Sequence, residues 1–156
     1  MAFWIEVRWP PIPEDRLDLL YFHEGQCRMA HQMRRGDSVL YYETLGRPGS
    51  NLRGSQTVFA YVIVRGELEC RRPPVESGGY TWDRIRRVEV VLPENEDMKH
   101  RGVRLPRVLK VLSWKPNARL RRGIRITEEQ FRKLAAELKR GMERARGAAG
   151  TVGLDP

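Results

Sequence analysis

The groups best suited to chemistry gather in MRRGDSVLYYET, residues 33 to 44, where two arginines and a Gly-Asp pair lead into a run with Tyr41 and Tyr42 in succession. Arginine matches phosphate with paired N–H donors, and phenol and indole rings offer faces on which nucleobases stack. Successive residues of a strand point to opposite faces, so one tyrosine can fill a core while the other borders something else. More rings stand at Trp4, Trp9, Trp82 and Trp114 and at Tyr21, Tyr61 and Tyr80, several of them beside arginines near strand ends. Taken singly, an aromatic residue on a strand belongs more often to a core than to a ligand cage.

Catalytic patterns are thin. The histidines are His23, His31 and His100, and HEGQC at residue 23 has Cys27 where an HExxH metal helix needs its second histidine. The deaminase pattern, a nucleophile elbow, a Walker loop and GxGxxG are all missing, and GRPGSNLRG lacks the strand-to-helix setting of a phosphate cradle. The expectation is a protein that is not an enzyme, with no metal and no cofactor; Glu43 and Asp37 are the nearby acids an enzymatic alternative would use. Cys27 and Cys70 form no CxxC and read as buried thiols of a reducing compartment. The first residues lack the layout of a signal peptide, and no apolar run approaches the ~18 residues of a membrane span. A cytoplasmic protein, most simply a monomer, is expected.

Charge narrows the partner. Lys and Arg number 29 against 20 Asp and Glu, a formal net charge of +9, and 24 of the cations are arginine. Residues 1 to 33 hold five acids and three bases, whereas residues 99 to 125 hold ten bases and no acid. Such a surface attracts polyanions.

Positioning these groups requires a folded frame, and 156 residues suffice for one domain that buries about 68–70% of its unfolded surface. The expected domain spans residues 1–146, followed by a loose tail over 147–156. FWIEVRW alternates Phe3, Ile5, Val7 and Trp9 with Trp4, Glu6 and Arg8, predicting a strand with one buried face that Pro10, Pro11 and Pro13 end. EDRLDLLYFHEGQCRMAHQM reads as short helical turns broken near Gly25, and Gly36-Asp37 as the turn into SVLYYET. Residues 45 to 56 read as a loop. TVFAYVIV is apolar on both faces and predicts a central strand, with a bend at Gly66. RRPPVESGGYTWD reads as a loop and RIRRVEVVLPE as an alternating strand. VRLPRVLKVLSW fits either a strand or a short helix, and GIRI is extended. Thr127 with Gln130 forms a capping box for a helix whose stripe is Phe131, Leu134, Ala135, Leu138, Met142 and Ala145. The sum is an α+β fold, a small bent sheet of about five or six strands approaching a barrel, with flanking helices and a C-terminal helix.

The order FWIEV, MRRGDSVLYYET, VFAYVIVRGELE and LSW…RRGIRITEEQF, over about residues 3 to 138, resembles EVE domains of the PUA-like superfamily, which are pseudo-barrels related to YTH and ASCH domains. The resemblance implies a reader of flipped, often modified or methylated bases in DNA or RNA. By position it implies a base pocket made of Tyr41, Tyr42, Glu43 and Thr44, of Trp4 or Trp9 from the first strand, and of Ser113 with Trp114. Many members carry a histidine and a serine after their aromatic pair, so Glu43 and Thr44 imply a different preferred base. Trp82 falls in a variable loop and receives no role.

A flipped base costs a few kcal/mol to extrude and regains about 1–3 kcal/mol by stacking, so phosphate contacts must supply the rest. Arg34, Arg35 and Arg47, with Lys115, Arg119, Arg121 and Arg122, are the candidates for the backbone. Glu43 is a candidate acceptor for an exocyclic amine. The alternatives are a nucleic-acid- or nucleotide-modifying enzyme on the same fold and a basic domain that docks an acidic protein.

Overall fold

A computed structural model describes residues 1–10, 16–47, 49, 51–77, 79–94 and 101–152. Pro11, Pro13, Lys99 and His100, and residues 153–156 of the expected tail, lie outside the described residues. Among the described residues, eight strands form one curled sheet: β1 (Phe3–Arg8), β2 (Leu19–His23), β3 (Ser38–Glu43), β4 (Thr57–Val64), β5 (Glu69–Ser77), β6 (Tyr80–Leu92), β7 (Val103–Arg104) and β8 (Ile124–Ile126). Its main path runs β2-β6-β4-β3-β1-β8, with β5 on β6 and β7 on β4. Helices α1 (Cys27–Gln32), α2 (Leu105–Val111) and α3 (Glu128–Val152) complete an α+β pseudo-barrel.

The middle of the sheet is covered on both sides, which is why its strands carry apolar residues at nearly every position. Ile5, Val7, Leu40 and Tyr42 pack with Val108 of α2 and with Leu134 and Leu138 of α3. Trp4, Val39, Tyr41, Phe59 and Val62 fill the inside of the curl together with Phe22 and Met33. β1 lies parallel to β3, pairing Glu6 with Tyr41 and Val7 with Tyr42. Opposite them β4 carries one extra residue, Phe59, because the β3–β4 register slips between Tyr41 and Tyr42. The one-faced β1 expected from alternation is therefore corrected: Trp4, Glu6 and Arg8 are as buried as Ile5 and Val7.

α3 begins as the capping box predicts. The Gln130 N–H donates to Thr127 Oγ1 at 3.1 Å, and the Thr127 N–H donates to Gln130 Oε1 at 3.0 Å. The helix continues through Gly147 to Val152, so most of the expected tail is helical. The ambiguous segment at 103 to 114 resolves into β7 and α2.

Two elements differ from their expected type. The helical reading of residues 16 to 23 gives way to β2, because Leu19, Leu20, Tyr21 and Phe22 are all buried, two on each face, and a four-residue apolar run does not distinguish strand from helix by period. The loop read at 71 to 83 is a hairpin, β5 and β6, pairing Val75 with Trp82 and Ser77 with Tyr80. Its prolines sit on β5 where the register shifts between Cys70 and Val75, the placement a sheet tolerates. Cys27 and Cys70 are exposed thiols, which corrects the buried expectation. Among the described residues, no helix is long and apolar enough to cross a membrane.

Candidate functional site

The Gly-Asp pair shapes one wall of a cleft. Arg34 to Asp37 form a tight turn, with the Asp37 N–H donating to Arg34 O at 3.1 Å and Gly36 at φ +88°, a conformation that favours glycine. The turn buries the Asp37 carboxylate, which accepts from the Ala2 N–H at 2.9 Å, Trp4 Nε1 at 3.1 Å and the Arg34 N–H at 3.0 Å. Three donors on one carboxylate fix the Trp4 indole and the start of the arginine pair in a single unit.

A second wall comes from β2 and β6, where His23 pairs with Trp82 in register. The His23 ring stacks on Tyr80 at 4.2 Å between centroids and meets Trp82 edge-on at 4.9 Å. Trp82 Nε1 donates to Ser77 O at 3.1 Å, and the Arg47 guanidinium lies 5.4 Å from the Tyr80 ring centroid. His23 Nδ1 accepts from the Gly25 N–H at 3.0 Å. Burial, more than the neighbouring Arg47, holds the imidazole below its usual pKa and favours the neutral ring that this bond needs.

These walls enclose a cleft of about 1360 Å³, larger than the ~300–1,000 Å³ of a typical small-molecule site. Its rings are Trp4, Trp9, His23, Tyr80 and Trp82, and its cations are Arg28, Arg34, Arg47, Arg121, Arg122 and Arg125. Asp37 is the one acid among the lining residues, and its carboxylate is already engaged by three N–H donors. Trp9 Nε1 donates to Arg121 O at 3.2 Å, and the Arg125 guanidinium lies 5.8 Å from the Trp4 ring centroid, so rings and cations are interleaved. A concave surface lined by one sign of charge concentrates anions.

The structure distributes the expected site residues unevenly. Trp4 and Trp9 line the cleft, as do Arg34, Arg47, Arg121 and Arg122. Tyr41 and Tyr42 do not: both are buried, on opposite sides of the sheet, which corrects the expectation that one of them borders the pocket. The Tyr41 hydroxyl donates to Leu17 O at 3.0 Å, and the Arg8 guanidinium lies 4.0 Å over its ring. Burial raises the pKa of both phenols, that of Tyr42 to about 12. Glu43 and Thr44 are buried and hold the following loop: Glu43 Oε1 accepts from the Ser55 N–H at 2.8 Å and Thr44 Oγ1 from the Gly46 N–H at 3.2 Å. Ser113 follows the α2 C-cap Leu112 at φ +60°, and Trp114 lies on the surface, neither of them lining the cleft. Arg35, Lys115 and Arg119 are exposed outside the lining.

The residues missed were His23, Tyr80, Trp82 and Arg28, while Arg125 belongs to the basic run read over residues 99 to 125. Tyr80 and Trp82 stand two apart and therefore share a strand face, a signal that the loop reading of GGYTW hid. Among the described residues, no group of three or more His, Cys, Asp or Glu side chains could hold a metal ion.

No family model matches the chain, and no curated protein matches it by sequence. Among solved structures it is similar to the YTH domain of Mmi1, determined in complex with RNA, with a TM-score of 0.59 at 8% identity over 92% of this chain and 81% of that one. It is also similar to Rpa0253 from Rhodopseudomonas palustris, with a TM-score of 0.49 at 15% identity over 89% of this chain and 94% of that one. Atu2648 from Agrobacterium tumefaciens gives 0.48 at 15% identity over 90% and 93%. The chain has the fold of a YTH domain.

Proposed function

We propose that this protein is a non-catalytic nucleic-acid reader that takes one unpaired or flipped base of DNA or RNA, modified or not, into the aromatic cleft, as the resemblance to EVE domains implies. The observation that carries the reading is the cleft's lining, five rings interleaved with six arginines. The Mmi1 domain of the same fold was solved with RNA, which supports it. Stacking returns about 1–3 kcal/mol against an extrusion cost of a few, so the arginines must supply the net affinity through phosphate. The volume leaves room for a base with its sugar and phosphate. An added methyl group contributes only about 0.8 kcal/mol by burial, so any strict preference for a modification comes from hydrogen bonding rather than from apolar contact.

The test uses ribose and deoxyribose pentamers whose only base is the central one, flanked by abasic residues. The base-bearing pentamer should bind about tenfold or more tightly than the fully abasic one, read by tryptophan fluorescence. Equal binding of the two would reduce the cleft to a phosphate site and reject the reading.

A further inference from the structure

Beneath the cleft lies a carboxyl whose role no part of the fold explains. Glu6, on β1, is 3% exposed, and its Oε2 has no hydrogen-bond partner among the described residues. A buried polar atom left unpaired costs free energy, so its persistence calls for a purpose. Two observations place it against the cleft. A recess of about 20 Å³ is lined by Glu6, Arg8, Tyr21, Val7, Trp9 and Trp82, the last three of which also line the cleft. That volume admits a single small group such as the edge of a ring, since one water-sized sphere needs about 10–15 Å³. On its other side, a Cβ placed on Gly123 of the cleft lining would stand 3.2 Å from Glu6 Oε2 and 2.5 Å from Met29 Sδ. A side chain at position 123 would crowd Glu6 Oε2 and would have to displace the Met29 thioether, a group that adapts readily.

The hydrogen bonds around Glu6 also fix its polarity. Gln26 Oε1 accepts from the His23 N–H at 3.1 Å, leaving the Gln26 amide N–H₂ to donate to the Glu6 carboxyl. The oxygen that accepts this bond serves as the carbonyl, and Oε2 is left to carry the hydroxyl proton.

We propose that Glu6 is a specificity-determining residue of the cleft, donating its Oε2–H past Gly123 to a lone-pair acceptor on the edge of the bound base. The proposal rests on the reading of the cleft as a base site and adds what that site demands of the base: an unprotonated, unsubstituted ring nitrogen at adenine N1 or cytosine N3. Burial supports the protonated form, raising the Glu6 pKa to about 8 against the smaller opposing effects of Arg8 and Gln26. The titratable and charged groups facing Glu6 are Arg8 on its own strand, Tyr41 on the paired strand β3, and Tyr21 across the recess. Above about pH 8 the donor becomes an acceptor that repels the base's lone pair, so affinity is present at neutral pH and lost as pH rises.

The same pentamers test it, carrying adenine or 1-deazaadenine, and cytosine or 3-deazacytosine, at about pH 7 and about pH 9, with the wild type and Glu6→Gln. Replacing the ring nitrogen should weaken wild-type binding about tenfold for at least one of the two bases. Raising the pH should cost about tenfold in the wild type and nothing in Glu6→Gln, which keeps an N–H donor and therefore keeps the deaza discrimination. Equal binding of parent and deaza bases by the wild type, or a pH step that survives in Glu6→Gln, overturns the proposal while leaving the cleft a base site. Loss of every difference between base-bearing and abasic pentamers overturns both.

Discussion

Two aromatic pairs, Tyr41 with Tyr42 and Tyr80 with Trp82, show how position in a sheet outweighs residue type. Tyr41 and Tyr42 are consecutive on a central strand, at 0% and 2% exposure. Tyr80 and Trp82 are two residues apart at the start of a hairpin strand, with Tyr80 at 42%. In the first pair, alternation sends one ring to each face, and both faces are covered, one by α2 and α3 and the other by the inside of the curl. In the second, alternation puts both rings on one face, beside His23, where the sheet opens into the cleft. A doublet of rings is therefore a core signal when its strand has neighbours on both sides and both faces. It becomes a binding signal when the spacing is two and the strand reaches the sheet's end.

The sharpest break of this comparison is Tyr41→Ala. It removes a fully buried ring, its hydroxyl bond to Leu17 and the surface under Arg8, and should destabilise folding by about 3–5 kcal/mol in urea denaturation, the scale for large aromatic truncations. Binding by the molecules that remain folded should be unchanged. Trp82→Ala should do the reverse. It should cost about 1–3 kcal/mol in binding to base-bearing pentamers and less stability than Tyr41→Ala, since its ring is half-buried. If Tyr41→Ala abolished binding without loss of stability, the division between the two pairs would be wrong.

How much of this was legible in the sequence depends on whether the deciding interaction is local. The capping box at Thr127, the stripe of α3, the central strand β4 and the Gly36 turn are set by neighbours within a few residues, and all are present. β2 is set by pairing with β6 across dozens of residues, whereas the β5–β6 hairpin is local and was hidden by its own composition. LLYF is apolar enough for either type, and two prolines disguise β5 as loop. The site split the same way. Trp4 and Trp9 belong to a strand recognised from its own pattern, whereas His23 needs both β2 and the hairpin in place before it meets Tyr80. Glu6 looked like an exposed alternate of β1. Only the covering of both faces, invisible in a single strand's alternation, makes it a buried acid.

The smallest effect separates cations that the sequence could only group together. The basic run from residue 99 to 125 contains Arg121 and Arg122, which line the cleft, and Lys115 and Arg119, which do not. Each phosphate contact adds about 0.7 to the slope of log affinity against log salt for a single strand. Arg121→Ala with Arg122→Ala should lower that slope by up to about 1.4, and Lys115→Ala with Arg119→Ala should leave it nearly unchanged. Trp9 is not disturbed by the first pair, because its indole donates to the main-chain oxygen of Arg121 and that oxygen survives the substitution. A slope that falls equally for both pairs would mean that the strand runs over the whole basic segment, and that the cleft does not set its path.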